Sequence, residues 1–231
     1  MDERMPEVLA RLDDRGFGIE ENVFSARECE RLVASLGDSP NRSRAGARHL
    51  MSHPAVAEIA QDERILRLAR TAFGERAIPF RATLFEKSGR NNWLVVWHQD
   101  TALPLATRFE DAAWGPWSEK AGVFYAHAPT WALARVLALR LHLDDSTSEN
   151  GPLRVIPGSH ADGVLTDEEV FERAHRQEAV ACVAPRGAVV AMRPLLIHSS
   201  LKSKNEQSRR VLHLEYADSL ELSPGIRLAV A

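Results

Sequence analysis

The chain has 231 residues, 45% of them hydrophobic, with 29 Lys+Arg against 32 Asp+Glu. That length suits a single domain that needs no disulfide or structural metal, and a net charge of −3 supplies no basic face for nucleic acid. No apolar run approaches the roughly 20 residues of a membrane span, Met1-Asp2-Glu3-Arg4 lacks a signal-peptide pattern, and Cys29 and Cys182 show no metal-ligand spacing, so the expectation is a soluble, cytoplasmic protein with no protein partner implied.

Pro6 to Asp14 carries Val8, Leu9 and Leu12 at helical spacing, and Gly16 ends it. Phe17 to Phe24 reads as a strand. Ser25 and Glu28 form a capping box that opens a helix to about Leu36, with Cys29, Leu32, Val33 and Leu36 on one face. Cys29 therefore reads as a small core residue. A polar, basic loop spans 38–48. Helical periodicity returns over 53–73, through Val56, Ile59, Ile65, Leu68 and Ala69.

From Ile78 the pattern turns to strand. Residues 78–86 and 93–99 are β-rich and flank a turn at 88–92. Residues 102–132 read as irregular and hold Trp114, Trp117, Phe124, Tyr125 and Trp131. Residues 136–143 alternate as a strand, Asn150-Gly151 is a turn signal, and further strands fit 152–156, 179–183, 188–192 and 210–216. Helices first and short strands after imply an α+β, mainly β chain built on a sandwich or barrel.

The chemistry concentrates in Trp97-His98-Gln99-Asp100. Residues two apart on a strand share a face, so His98 and Asp100 converge while Gln99 opposes them. An imidazole and a carboxylate make two corners of a metal site, and His198, which ends the apolar run 189–197, is the best third. Two His and one carboxylate with open positions are the facial triad of non-haem Fe(II) oxygenases. Eleven residues later comes Arg209-Arg210, and a guanidinium there can hold a dicarboxylate by a bidentate pair.

His98-x-Asp100, His198 and Arg209 together resemble the Fe(II)/2-oxoglutarate-dependent dioxygenases of the phytanoyl-CoA dioxygenase (PhyH-like) family. The resemblance extends through Leu84-Phe85-Glu86-Lys87, Asn92-Trp93, Leu141-His142-Leu143-Asp144-Asp145 and Asn150-Gly151-Pro152 to Pro157-Gly158-Ser159-His160. It implies a double-stranded β-helix (jelly roll, cupin-like) core over about 78–220, with N-terminal helices from about 1–77 packed outside. It implies that His98, Asp100 and His198 bind Fe(II) and that Arg209 binds the distal carboxylate of the co-substrate 2-oxoglutarate. Ser200 matches a position that supports that carboxylate, and Arg81 one where some relatives contact the co-substrate. Ser199 stands where relatives frequently have Gly.

The implied reaction consumes O2 and 2-oxoglutarate, releases succinate and CO2, and hydroxylates a C–H bond of a small organic molecule. Asp100 favours this over halogenation, which uses a small residue there.

Between the two arginines, strand alternation places Arg209 with Val211, His213 and Glu215 on a mixed face, and Arg210 with Leu212 and Leu214 on a packing face. His142 reads as a hydrogen-bonded core residue, His160 as a turn-stabilising one, and His49, His53 and His175 as surface residues. The aromatics of 102–132 fit a substrate lid or simple packing about equally, and Arg42, Arg44 and Arg48 fit a solvated loop. Two other classes remain: a non-catalytic jelly-roll sensor, and a cupin-like Zn or Mn enzyme that uses no 2-oxoglutarate.

Overall fold

A computed structural model of the chain describes residues 7–37, 42–43, 46–89 and 91–231. The start of the first expected helix, most of the polar loop with Arg44, and Arg90 in the 88–92 turn lie outside the described residues. Seven strands form an antiparallel sheet in the order Phe17–Glu20, Val189–Met192, Val136–His142, Arg209–Ala217, Ile78–Lys87, Gly46–Arg48 and Arg42–Ser43. Four more form a second antiparallel sheet, ordered Val180–Cys182, Leu153–Val155, His198–Ser200 and Val95–His98. Phe17, Ala138, Val190 and Met192 from the first pack with Leu153, Val155 and Cys182 from the second. The sheets therefore face each other as a jelly roll.

Alternation decides what each face carries. Every residue of Val136–His142 is buried. Leu137, Leu139 and Leu141 point outward into the apolar cluster shared with the helices, which leaves Ala138, Arg140 and His142 on the inner face. The helices Ala26–Leu36, Pro54–Ala60 and Glu63–Phe73 cover the outer face, burying Cys29, Leu32, Leu36, Val56, Ile65 and Leu68. Tyr216 donates to the Ala60 carbonyl at 2.8 Å and ties the sheet to this layer. The capping box is formed as expected: Glu28 N donates to Ser25 Oγ at 3.3 Å, and Ser25 N donates to Glu28 Oε2 at 2.8 Å.

Several expectations need correction. The first strand stops at Glu20, and Asn22 turns the chain with φ of 58°. The helical stretch 53–73 is two helices, because the extended Asp62 caps a new N-terminus by accepting from Arg64 N at 2.9 Å. The segment 102–132 is ordered: Ala102–Leu105, Val123–His127 and Trp117–Lys120 form a three-stranded sheet, followed by a short helix at Thr130–Leu133. Its hairpin turns at Ala121-Gly122, both at positive φ (48° and 78°), as the twist of a two-residue hairpin demands. The helix Asp167–Arg176 was unforeseen, although Thr166 and Glu169 form a second capping box.

Gly187 joins the layers. Its N donates to His142 O at 2.8 Å, its carbonyl accepts from Phe24 N at 3.0 Å, and it sits at φ 85°. A Cβ there would lie 1.9 Å from the Phe24 carbonyl oxygen. Left-handed strain plus a backbone clash predicts that Gly187→Ala loses on the order of 2–4 kcal/mol. The check is a lower urea midpoint at unchanged slope; a loss under about 0.5 kcal/mol would refute the clash.

Candidate active site

His98 and His198 are direct cross-strand partners in the four-stranded sheet, with ring centroids 4.1 Å apart. Each donates its Nδ1–H to the carbonyl two residues earlier, His98 to Val96 O and His198 to Leu196 O, both at 2.9 Å. Both Nε2 atoms are left as acceptors on one side. Asp100 lies just past the strand end, held by its N donating to Pro194 O at 3.0 Å. Its Oδ1 lies 3.7 Å from His98 Nε2 and its Oδ2 3.5 Å from His198 Nε2. Gln99 points the other way, as expected. Its Nε2 donates to Gly163 O at 2.8 Å and Leu195 O at 2.7 Å, and its Oε1 accepts from Leu165 N at 2.9 Å.

One ligand atom each from His98, Asp100 and His198 lies within 4.8 Å of the others. An ion at about 2.1 Å from each ligand needs neighbouring ligand atoms about 3 Å apart, so the three residues fit a first-row divalent ion. Protonation agrees. Burial pulls His198 down to about 4, leaving its Nε2 lone pair available at neutral pH. Burial works against the charge of Asp100, but the neighbouring His198, His98, His213 and Arg81 outweigh it and hold the carboxyl well below its ordinary range.

Beside the triad, a cavity of about 110 Å³ is lined from both sheets, by His98, Asp100, His198 and Ser200 on one side and Phe85, Lys87, Arg140 and Arg209 on the other. Alternation separated the two arginines correctly: Arg209 is buried against the cavity, while Arg210 forms an ion pair with Asp144 at 2.7 Å on the helix side. Arg209 Nε donates to Asn150 O at 3.2 Å, and Asn150 is fixed by bonds to Thr147 N and Asp145 O. Its cross-strand partner is Lys87, only 1% exposed. Lys87 donates to Ser200 Oγ at 2.8 Å and Leu201 O at 2.7 Å. Burial, then the facing Arg209, pulls Lys87 down to about 8, and burial with Arg140 pulls Arg209 down to about 10. Neither has a carboxylate partner among the described residues. Ser199 sits within its strand at an ordinary backbone conformation, so no glycine is required there.

Arg81 lies elsewhere. It pairs with Glu215 at 3.2 Å and reaches the Ala102 carbonyl at 3.4 Å. Glu215 accepts from His213 Nε2 at 3.1 Å, and His213 Nδ1 accepts from Arg140 at 3.0 Å. Arg140, His213, Glu215 and Arg81 thus form a buried chain along the inner face. His142 is buried next to them, but neither ring nitrogen has a hydrogen-bond partner, which corrects the expected core bond. Its titration is pulled down to about 3 by burial and by Arg140 and Arg209. His160 behaves as expected, bonding the Asp13 carbonyl at 3.0 Å. His49 does not: it is part-buried, with Nε2 2.9 Å from the Tyr125 hydroxyl. The aromatics of 102–132 mostly pack: Trp114 lies edge-on to Phe109 in one cluster with Trp117, and edge-on to the exposed Trp131.

Lys87, Arg140 and the His213–Glu215 pair escaped the sequence reading. Lys87 had a signal, since alternation along 81, 83, 85, 87 puts it on the face of Arg81.

A family model described as phytanoyl-CoA dioxygenase (PhyH) matches residues 12–211. L-proline trans-4-hydroxylase of Streptomyces griseoviridis is 32% identical over 133 residues, 46% of this chain and 49% of the hydroxylase. Ectoine dioxygenase of Sphingopyxis alaskensis is 25% identical over 230 residues, 83% of this chain and 68% of the dioxygenase. The chain thus spans about half the length of the first of these relatives. The crystal structure of EctD from S. alaskensis with 2-oxoglutarate and 5-hydroxyectoine superposes with a TM-score of 0.70 at 24% identity, covering 92% of this chain and 76% of that one.

Gln99→Leu orphans two carbonyls and one N–H in a buried position. It is expected to cost about 2–4 kcal/mol of stability and to weaken Co(II) binding, read by chemical denaturation and by the visible absorption of bound Co(II). Unchanged Co(II) affinity would show that the triad keeps its geometry without this clamp.

Proposed function

The chain belongs to the phytanoyl-CoA dioxygenase family of Fe(II)/2-oxoglutarate-dependent dioxygenases, and from that premise we propose that it is an oxygenase that hydroxylates a C–H bond of a small organic molecule. His98, Asp100 and His198 would hold Fe(II), and Arg209, Lys87 and Ser200 would hold 2-oxoglutarate. With O2, the bound iron and 2-oxoglutarate supply the oxidising chemistry, with succinate and CO2 as products. The chain acts as one domain, the core of 78–220 carrying the site and the helices of 1–77 covering its outer sheet.

One observation carries this reading: a metal-competent triad shares a cavity with two buried cations that have no acidic partner among the described residues. Buried charges are costly unless paired, and a dianionic ligand pairs both at once. Arg209 presents a planar fork held by Asn150, and Lys87 a point charge held by Ser200. Burial keeps His198 neutral, both imidazoles are oriented through their Nδ1–H bonds, and Phe85 and Leu153 line the cavity with apolar surface. A metal sensor, or a cupin-like enzyme without a co-substrate, has no use for two unpaired buried cations. The relatives' names make an amino acid or a derivative of one the first substrates to test.

The test is anaerobic titration of the Fe(II)-loaded protein with 2-oxoglutarate, followed by visible absorption. Asp100→Ala should abolish the signal, Arg209→Ala should weaken 2-oxoglutarate binding at least tenfold, and Arg210→Ala should leave it unchanged; bound iron with no signal in the wild type would sink the proposal. A second expectation concerns pH. Lys87 is a cation below about 8 and loses its charge above it, so 2-oxoglutarate affinity should fall, by roughly tenfold in all, as pH rises through that value. Lys87→Met should bind weakly and without that dependence.

A further inference from the structure

The seven-stranded sheet carries a second cationic group, at the far end of its inner row. Along Ile78–Lys87 the inward positions run from Lys87 through Phe85 and Thr83 to Arg81, and their partners run from Arg209 to Glu215. Six residues of strand span about 20 Å, so one short dicarboxylate cannot reach both ends. The triad faces this row from the other sheet, and Arg81 is close enough to contribute to the charge of Asp100.

At that end Tyr125 is the organising ring. Arg81 lies 5.3 Å from its centroid and Lys120 Nζ 4.8 Å, and the His49 ring stacks on it at 6.1 Å. Lys120 arrives on the Trp117–Lys120 strand, turned by Ala121-Gly122. Arg48 arrives on the strand paired with 83–85, register Arg48 to Thr83. Arg81 is neutralised by Glu215. Among the described residues, Arg48 and Lys120 have no carboxylate within ion-pair distance. Arg48 and Arg81 both lower the titration of Lys120 after burial does, and Arg48, Arg81 and Lys120 do the same to His49. Like charges are thus gathered, where a soluble surface ordinarily disperses them.

We infer that Lys120 and Arg48, with Tyr125 and His49 between them, bind the anionic group of the substrate and so aim its carbon skeleton at the triad. The inference rests on the oxygenase reading for the word substrate, and it names the class: a small organic anion bearing a carboxylate or a phosphate. Lys120 and Arg48 are specificity-determining residues under it, and Tyr125 and His49 position them.

The test reads the site directly. The His49 ring resonances of the full chain are followed by NMR while inorganic phosphate or acetate replaces chloride at constant ionic strength. A saturable shift in the wild type that is lost in Lys120→Gln is expected, and the stronger of the two anions tells carboxylate from phosphate. No saturable shift, or the same shift in Lys120→Gln, overturns the inference. Arg48→Gln is the second variant should Lys120→Gln fail to fold. Succinate release is measured in parallel: among compounds that stimulate it, acids should surpass their amides, and Lys120→Gln should raise KM about tenfold. Absence of 2-oxoglutarate turnover would fail the oxygenase reading and leave the His49 titration to decide the anion site.

Discussion

Direct pairing of His98 with His198 across two short strands governs the rest of the site. Because both rings spend Nδ1 on the carbonyl two residues back, both Nε2 atoms emerge on the same side, and no rotamer choice remains to be made when a metal arrives. A carboxylate completing that set must come from a chain just leaving the strand, which is where Asp100 sits. The exit direction is then fixed by Gln99, whose amide fills three backbone bonds on the opposite side. Side-chain alternation thus separates binding from anchoring within three consecutive residues.

A site this polar needs its stability from elsewhere. The outer face of the seven-stranded sheet supplies it, where Leu137, Leu139, Leu141, Leu212, Leu214 and Tyr216 meet the three helices. The inner face of the same strands is then free to carry Arg140, His142, Arg209 and His213, residues that oppose folding when buried without partners. Lys87 and Arg209 are the clearest case: burial and Arg209 lower Lys87's hold on its proton, burial and Arg140 lower that of Arg209, and neither has an acid among the described residues. A ligand that neutralises them stabilises the folded chain by mass action as well as serving the reaction. Arg140, by contrast, donates to His213, which itself donates to Glu215, and Arg81 closes the chain from the other side.

What could be read from the residues follows the reach of each physical signal. Period-two alternation is local, and it separated His98 and Asp100 from Gln99 and Arg209 from Arg210. For Lys87, alternation gives the face it shares with Arg81, but its place opposite Arg209 comes from the register, a long-range fact that no local pattern contains. The 102–132 segment failed for a different reason: its strands are four or five residues long, too short to show a period, and its turn uses alanine where asparagine would have announced it. His49 read as a surface residue because its partner Tyr125 is 76 positions away. The helix Asp167–Arg176 is legible in the residues, because the Thr166–Glu169 capping box that opens it is a local signal.

The inner row also keeps two cationic groups apart. Positive ends at Lys87–Arg209 and at Lys120–Arg48 are separated by a stretch in which Glu215 pairs with Arg81 and the Asp100 carboxylate acts on the buried Arg140. An anion near the middle gains little from either end, whereas an anion at an end meets unpaired charge. The Lys87–Arg209 end is the more enclosed, with both of its cations buried, so its selectivity for an anion comes from shape and from bidentate geometry. The other end is exposed at Lys120 and Arg48, where attraction is screened by salt and acts first on encounter. The two ends lie about 20 Å apart along the strand, too far for one short dicarboxylate to occupy both.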